Sequence, residues 1–318
     1  MTLRAAVLGH PIGHSKSPAL HRAAYAYLGV ELAYSAIDVT EEQLPDFMAK
    51  VRDELGNDEA RTGGGWRGLS VTMPLKSAMV REMDEIRGVA RTLGVVNTVA
   101  FERGASGSGP SGEYGDSTRL IGYNTDVAGI VNALRHAGAA AAPTAVVLGG
   151  GGTAAAALAA LKELGAPGAD VFVRDVSRAA EARAASAALG LPVQVLPIAG
   201  AAAAVAAADV VISTLPPRAA DRLAAEVQRE LQQESARGTA SGPAPGKPGV
   251  LLDVAYDPWP SRIASVWQDA GGKVVPGLEM LIYQAVEQVR HFTGLGEAVP
   301  AEVTDVMCDA VGAPRRVV

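Results

Sequence analysis

Val146-Val147-Leu148-Gly149-Gly150-Gly151-Gly152-Thr153-Ala154 runs from three branched apolar residues through four glycines into the alanine-rich stretch ending at Leu161. A short buried strand, a tight turn and a helix follow from that order. The spacing fits G-x-G-x-x-A, in which each small residue has its own reason. Gly149 permits the turn, Gly151 lets a pyrophosphate approach the backbone, and Ala154 lets helix and strand pack closely. Gly150, Gly152 and Thr153 complete a helix start whose unpaired N–H groups face an anion. The plain alternative is a glycine-rich turn with no ligand. About twenty residues on, Arg174-Asp175-Val176-Ser177-Arg178 falls where such a unit reads an adenosine ribose. An acid there favours a free 2′-hydroxyl and arginines favour a 2′-phosphate, and both are offered. Asp175 or Ser177 as a helix cap is the competing reading.

Outward from this turn, short apolar runs alternate with helix-period stretches, which predicts an α/β fold with helices over parallel strands. Before it, strands are expected at 5–8, 34–39 and 69–72, with helices at 18–28 and 41–55 between them. A strand pair follows at 95–101 and 120–123, joined by the Gly/Ser-rich stretch 104–117, expected to be a mobile loop. After it, strands are expected at 145–148, 171–173, 193–196, 210–212, 250–253 and 273–275. Residues 235–249 read as a disordered surface loop inside this second domain. Helical patterns at 278–293 and 301–311 close the chain.

Composition narrows the function. Among 318 residues, 48% are hydrophobic and 19% charged, enough apolar material for full cores and for two domains. A formal net charge of −6 and only 4% aromatics argue against nucleic acid, which needs clustered cations or stacking platforms. The expected ligand is small. Cys308, the only cysteine, rules out an internal disulfide and fits a cytoplasmic setting. The apolar run 5–8 is too short for an export signal. The uncharged segment 137–161 is long enough to span a bilayer, but Pro143 and four glycines interrupt it, so no membrane association is expected. His10, His14, His21, His136 and His291 show no metal-ligand spacing, and no metal is expected.

In the first third, Ser15-Lys16-Ser17-Pro18 opens a helix. Ser17 reads as N-cap and Pro18 as the first helical residue, which leaves Ser15 surplus to capping. Both hydroxyls can face an anion such as a carboxylate. Gly68-Leu69-Ser70-Val71-Thr72-Met73-Pro74-Leu75-Lys76 is a strand ending at a proline turn. Lys76 thus falls at a strand's carboxyl end, where ligand sites of open α/β sheets gather, with a solvated surface charge as the alternative. Val96-Asn97-Thr98 and Tyr123-Asn124-Thr125-Asp126 each place polar groups beside small residues, and Asp126 can cap the following helix.

These pieces resemble the shikimate dehydrogenase family, in the same order along nearly the whole chain. Further matches are Ser213-Thr214-Leu215-Pro216, Asp253-Val254-Ala255-Tyr256-Asp257-Pro258 and Gly277-Leu278-Glu279-Met280-Leu281-Ile282-Tyr283-Gln284-Ala285. The resemblance implies an α/β substrate-binding and catalytic domain, residues 1–125 plus 278–318, and a Rossmann-type NADP-binding domain, 126–277, with a cleft between them. Lys76 and Asp126 would be the catalytic pair. Ser15, Ser17 and Tyr256 would hold a substrate carboxylate, while Thr72, Asn97 and Gln284 contact ring hydroxyls. Thr214 and Gly277 would join the glycine turn and Arg174, Asp175 and Arg178 around the cofactor. Two departures stand out: Ser70 where the family usually has Asn, and Val173 and Asp175 flanking Arg174 where Asn and Thr are usual.

The expected activity is reversible, NADPH-dependent reduction of 3-dehydroshikimate to shikimate, in aromatic amino-acid biosynthesis, by a monomer or homodimer. NAD is the alternative cofactor, and quinate or aminoshikimate dehydrogenase the alternative activity. The presence of both Lys76 and Asp126 disfavours a non-catalytic cofactor sensor.

Overall fold

A computed structural model of the chain describes residues 3–56, 65–103, 118–241 and 248–316. The expected loop at 104–117 lies outside the described residues. Among the described residues, twelve strands form two six-stranded sheets, and the chain divides into two compact units, Met1–Thr125 with Gln284–Val318, and Asp126–Tyr283. The division falls inside the Gly277–Thr293 helix, at Gln284 rather than at the expected residue 278.

The first unit is built on β1 (Leu3–Gly9), β2 (Leu32–Asp38), β3 (Gly65–Val71), β4 (Glu85–Ile86), β5 (Thr98–Arg103) and β6 (Thr118–Tyr123), ordered β2-β1-β3-β5-β6-β4. The first three strands are parallel, whereas β5 runs antiparallel to both β3 and β6, so this sheet is mixed rather than parallel throughout. Ala6, Leu8, Leu69 and Val71 alternate onto one face, where Leu44, Met48 and Val51 of the Leu44–Gly56 helix cover them. Their side chains are 3% exposed or less, which leaves only backbone edges and strand ends for chemistry. The Glu302–Val311 helix packs on the Ser17–Leu28 helix, which places the last elements in this unit.

The second unit carries β7 (Ala145–Leu148), β8 (Ala169–Val173), β9 (Val193–Pro197), β10 (Val210–Ser213), β11 (Val250–Asp253) and β12 (Lys273–Pro276). Every neighbouring pair is parallel, in the order β9-β8-β7-β10-β11-β12. That is the doubly wound dinucleotide-binding order, with its switch point between β7 and β10. The Gly152–Glu163 helix buries every residue from Ala154 to Leu161, which explains why the stretch carries no charge. No helix among the described residues is long and apolar enough to cross a membrane. The expected loop from 235 onward is corrected in part: the Asp221–Ser241 helix continues through Ser241. Ala236 and Ala240 favour helix and no proline intervenes before Pro243, so propagation outlasts the drop in apolar periodicity.

Trp267 is fully buried in the core between β10, β11 and the flanking helices, and its indole N–H donates to the Gly249 carbonyl at 3.0 Å. Trp267→Ala is expected to cost about 3–5 kcal/mol in urea denaturation, chiefly from lost apolar burial, since the Gly249 carbonyl keeps its bond from the Lys273 N–H. A loss below about 1 kcal/mol would show that this core repacks freely.

Candidate active site

The glycine turn leaves β7 at the switch point. Gly149 has φ +111°, and a Cβ there would lie 2.3 Å from Thr214 Oγ1, so only glycine fits. Thr214 is locked beside it, its N–H and hydroxyl both donating to the Leu148 carbonyl at 2.8 and 2.9 Å. Gly151 is the N-cap of the helix and contributes no side-chain bond; Gly152 and Thr153 form the first turn. A helix start without a side-chain cap, reached over a turn that excludes a Cβ, fits a bound pyrophosphate. Gly277 packs flush on β11's exit, where a Cβ would lie 2.0 Å from the Val254 carbonyl oxygen.

Arg174 and Arg178 are exposed at the end of β8. Asp175 caps the turn Val176–Arg178: its Oδ1 accepts from the Ser177 N–H at 2.9 Å and the Ser177 hydroxyl at 2.6 Å. Those bonds, with a smaller contribution from Arg178, hold its carboxyl below the usual range. The capping alternative is therefore the one adopted, and the carboxylate is turned to its own loop.

At the Ser17–Leu28 helix, capping differs from expectation. Ser17 is the first helical residue, not the N-cap, and Lys16 occupies the cap position without a side-chain bond. Ser15 is not surplus, because its hydroxyl oxygen accepts from the Ser17 N–H at 3.3 Å. The proline at the next position leaves Ser17 as the one nearby first-turn donor for such a bond. Ser17 itself is buried and its hydroxyl bonds to the Tyr34 phenol.

Asn97, Thr98, Thr125 and Gln284 meet in the first unit, each 5% exposed or less. Asn97 Oδ1 accepts from the Thr125 N–H at 2.7 Å and from the Thr98 hydroxyl at 2.8 Å. Its Nδ2 donates to Thr125 Oγ1 at 3.0 Å and Gln284 Oε1 at 3.4 Å. The Thr125 hydroxyl also lies 3.2 Å from Gln284 Oε1. The segment leading to Asp126 is fixed residue by residue. Tyr123 is held by Arg87 and Glu102 at 3.0 and 2.9 Å, and Asn124 donates to the Val95 carbonyl at 3.1 Å.

Lys76 is half-buried one turn past β3; its carbonyl accepts from the Val96 N–H at 3.0 Å, tying it to the backbone beside Asn97. Thr72 is half-buried, its N–H bonded to the Leu8 carbonyl at 2.9 Å. Asp126 is buried and opens the Asp126–His136 helix as a first-turn residue. Tyr256 is half-buried in the loop after β11. The first unit thus holds Ser15, Ser17, Thr72, Lys76, Asn97 and Gln284; the second holds Asp126, Tyr256 and every candidate cofactor residue.

Behind Asn97 lies a set of groups that sequence reading missed. His21 is fully buried, stacked on Tyr34 at 3.9 Å, with Nδ1 3.0 Å from the Tyr25 hydroxyl and Nε2 3.2 Å from Gln288 Oε1. Burial lowers its pKa to about 3 against a partial opposing effect of the Gln288 bond. Metal-ligand spacing among the histidines does not single it out. A usable signal is present, since His21 adjoins the apolar face that carries Leu20 and Ala24.

A parallel sheet in this order, with a helix start and glycine turn shaped for a pyrophosphate, defines a dinucleotide-binding α/β protein joined to a second α/β unit of its own. Comparison with known proteins narrows the class. Residues 7–99 match the model of the shikimate dehydrogenase substrate binding domain, and residues 277–304 that of the shikimate 5′-dehydrogenase C-terminal domain. A curated NADP(+) shikimate dehydrogenase of Rubrobacter xylanophilus is 33% identical over 303 residues, 93% of this chain and 92% of the relative. The shikimate dehydrogenase structure of Mycobacterium tuberculosis superposes with TM-score 0.73 at 36% identity, covering 97% of this chain and 98% of that one. The Thermus thermophilus shikimate 5-dehydrogenase, solved with NADP(H) and shikimate, gives 0.69 at 29% identity, over 97% and 100% of the two chains. The chain belongs to the shikimate dehydrogenase family.

The buried His21 makes stability acid-sensitive. Between about pH 6.5, its unfolded value, and about pH 3, its folded one, the unfolded chain binds the extra proton. Its contribution is therefore complete above about 6.5 and falls on acidification by up to about 1.4 kcal/mol per pH unit. Half-buried His291, also lowered by burial, adds slope of the same sign. Urea midpoints from pH 7.5 to 5 should drop in the wild type and drop less steeply in His21→Gln; equal slopes would mean that His21 takes up its proton alike in the folded and unfolded chain.

Proposed function

We propose that this chain catalyses the reversible reduction of 3-dehydroshikimate to shikimate with NADPH. The observation that carries the reading is the meeting of Asn97, Thr125 and Gln284, drawn from segments far apart in sequence and buried as one hydrogen-bonded cluster. A cluster of carboxamides and hydroxyls of fixed orientation suits a polyhydroxylated ring, whose hydroxyls both donate and accept. NADPH, when bound, supplies a hydride.

The protein's own residues do the rest. Lys76 is the proton-transfer group in this proposal: an ammonium stabilises the charge developing on the carbonyl oxygen and donates to it, and accepts the proton back in the oxidation direction. Asp126 is the acidic member of the pair. Ser15 and Tyr256 bind the carboxylate, joined by Ser17 once its hydroxyl turns from Tyr34 to the ligand, and Thr72 joins Asn97 and Gln284 at the ring. Arg174 and Arg178 select the 2′-phosphate, a reading supported by the engagement of Asp175 with Ser177. A cytoplasmic setting, supported by the single cysteine, and a monomer or homodimer complete the proposal.

The test is the rate of nicotinamide absorbance change with shikimate and quinate, each with NADP and NAD. Shikimate with NADP should give the highest kcat/KM; a higher value for quinate, or for NAD, would replace that part of the reading. Lys76→Ala should lower kcat by about 10²–10⁴ with a smaller change in KM, and near-normal turnover would move proton transfer elsewhere. Arg174→Ala should raise KM for NADP far more than for NAD. Equal effects would remove Arg174 from 2′-phosphate recognition.

A further inference from the structure

We propose that Gln288 is a positioning residue for substrate binding, acting with Ser70 as one unit that fixes which way the Asn97 carboxamide faces. The proposal rests on the reading that Asn97 and Gln284 touch the substrate ring. Gln284 and Gln288 stand four residues apart on the Gly277–Thr293 helix, hence on one face. Gln288 is 1% exposed, and all four hydrogen-bonding positions of its carboxamide have partners. Nε2 donates to the Asn97 carbonyl at 3.3 Å and to Thr98 Oγ1 at 3.0 Å. Oε1 accepts from the Ser70 hydroxyl at 2.7 Å and faces His21 Nε2 at 3.2 Å.

The polarity of the whole chain of bonds follows. A backbone carbonyl only accepts, so the nitrogen of Gln288 must face Asn97 and the oxygen must face Ser70. Tyr34 donates to Ser70 at 2.6 Å, so the single Ser70 proton goes to Gln288 and is unavailable to a ligand. Neutral His21 then carries its proton on Nε2, and Tyr25 donates to Nδ1. On the other side, Thr98 accepts from Gln288, and its own proton goes to the nearer of two acceptors, Asn97 Oδ1 at 2.8 Å rather than Thr125 Oγ1 at 3.1 Å. With the Thr125 N–H on the same oxygen, Nδ2 is left facing Thr125 Oγ1 and Gln284 Oε1. Without Gln288, the Thr98 proton loses its fixed direction and the Asn97 amide loses one of the two bonds that orient it.

Ser70 explains why a glutamine fits here. It is 3% exposed with its Oγ 2.7 Å from Gln288 Oε1, so the larger side chain of an asparagine at this position would reach into the space that Gln288 fills. Position 70 and position 288 should therefore be coupled: one amide is needed, from either side, and two do not fit.

The experiment is a double-variant cycle on the full chain, read by KM for shikimate, KM for NADP and urea midpoint, at a temperature well below unfolding. Gln288→Ala should raise KM for shikimate by about tenfold or more while KM for NADP stays within about twofold, a split that general loosening does not produce. Gln288→Met, which keeps the volume and removes the bonds, should do the same. Ser70→Asn alone should lower the urea midpoint and raise KM for shikimate, and Ser70→Asn/Gln288→Ala should recover most of both. A wild-type KM in Gln288→Met, or a double variant equal to the sum of its single effects, overturns the proposal. If the wild type does not turn over shikimate, it is the proposed function that fails, and the midpoints decide the coupling by themselves: non-additive values uphold it, additive ones refute it.

Discussion

A carboxamide buried without its partners costs about 1–3 kcal/mol for each group left unpaired, and Asn97 is buried almost completely. Much of the first unit's architecture follows from meeting that requirement in full. The Asn97 oxygen needs two donors, which come from its neighbour Thr98 and from the Thr125 backbone at the end of β6. Its nitrogen needs acceptors, which come from Thr125 and from a helix nearly two hundred residues later in the chain. β5 and β6 must therefore pair in register and the Gly277–Thr293 helix must dock before the cluster is satisfied. The cost of leaving it unsatisfied makes the final arrangement specific, and that arrangement is rigid before any ligand arrives.

The second unit obeys a different constraint, one of space. Its turn excludes a Cβ at Gly149, and its helix is alanine through most of its length so that it can lie close to the sheet. Small residues here serve approach rather than flexibility, and the helix start carries no side-chain cap of its own. One unit builds a fixed, buried polar cluster; the other offers backbone. The first suits a ring bearing several hydroxyls, the second a phosphate chain.

The strands and most helices were legible because their signals are local. The apolar runs of β7 to β12 alternate with helices, and the glycine turn marks the strand order's switch point. The mixed character of the first sheet was less legible, since a strand pair reads alike whichever way it joins its neighbours. The roles of Ser15 and Ser17 are not separable in sequence, because a hydroxyl two residues before a helix and one inside it look the same without dihedral angles; the bond from the Ser17 N–H reversed their expected roles. Burial of His21 was legible beside the apolar face of Leu20 and Ala24, but its partners, and the place of Gln288 in the site, were not. Their meaning lies in contacts across 218 and 267 positions of sequence, which no periodicity carries. Asp175 was legible as a pair of alternatives, and its bonds to Ser177 chose between them.

On the function proposed, the Asn97 cluster is a preformed seat for the substrate ring. A crystal structure of this protein with shikimate tests it directly. Ring hydroxyls within about 2.6–3.2 Å of the Asn97 and Gln284 carboxamides, with Asn97 Oδ1 still bonded to Thr98 and Thr125, are the predicted result. Shikimate bound away from both carboxamides would place the ring elsewhere, and an Asn97 side chain turned over to meet it would show that the seat is not preformed.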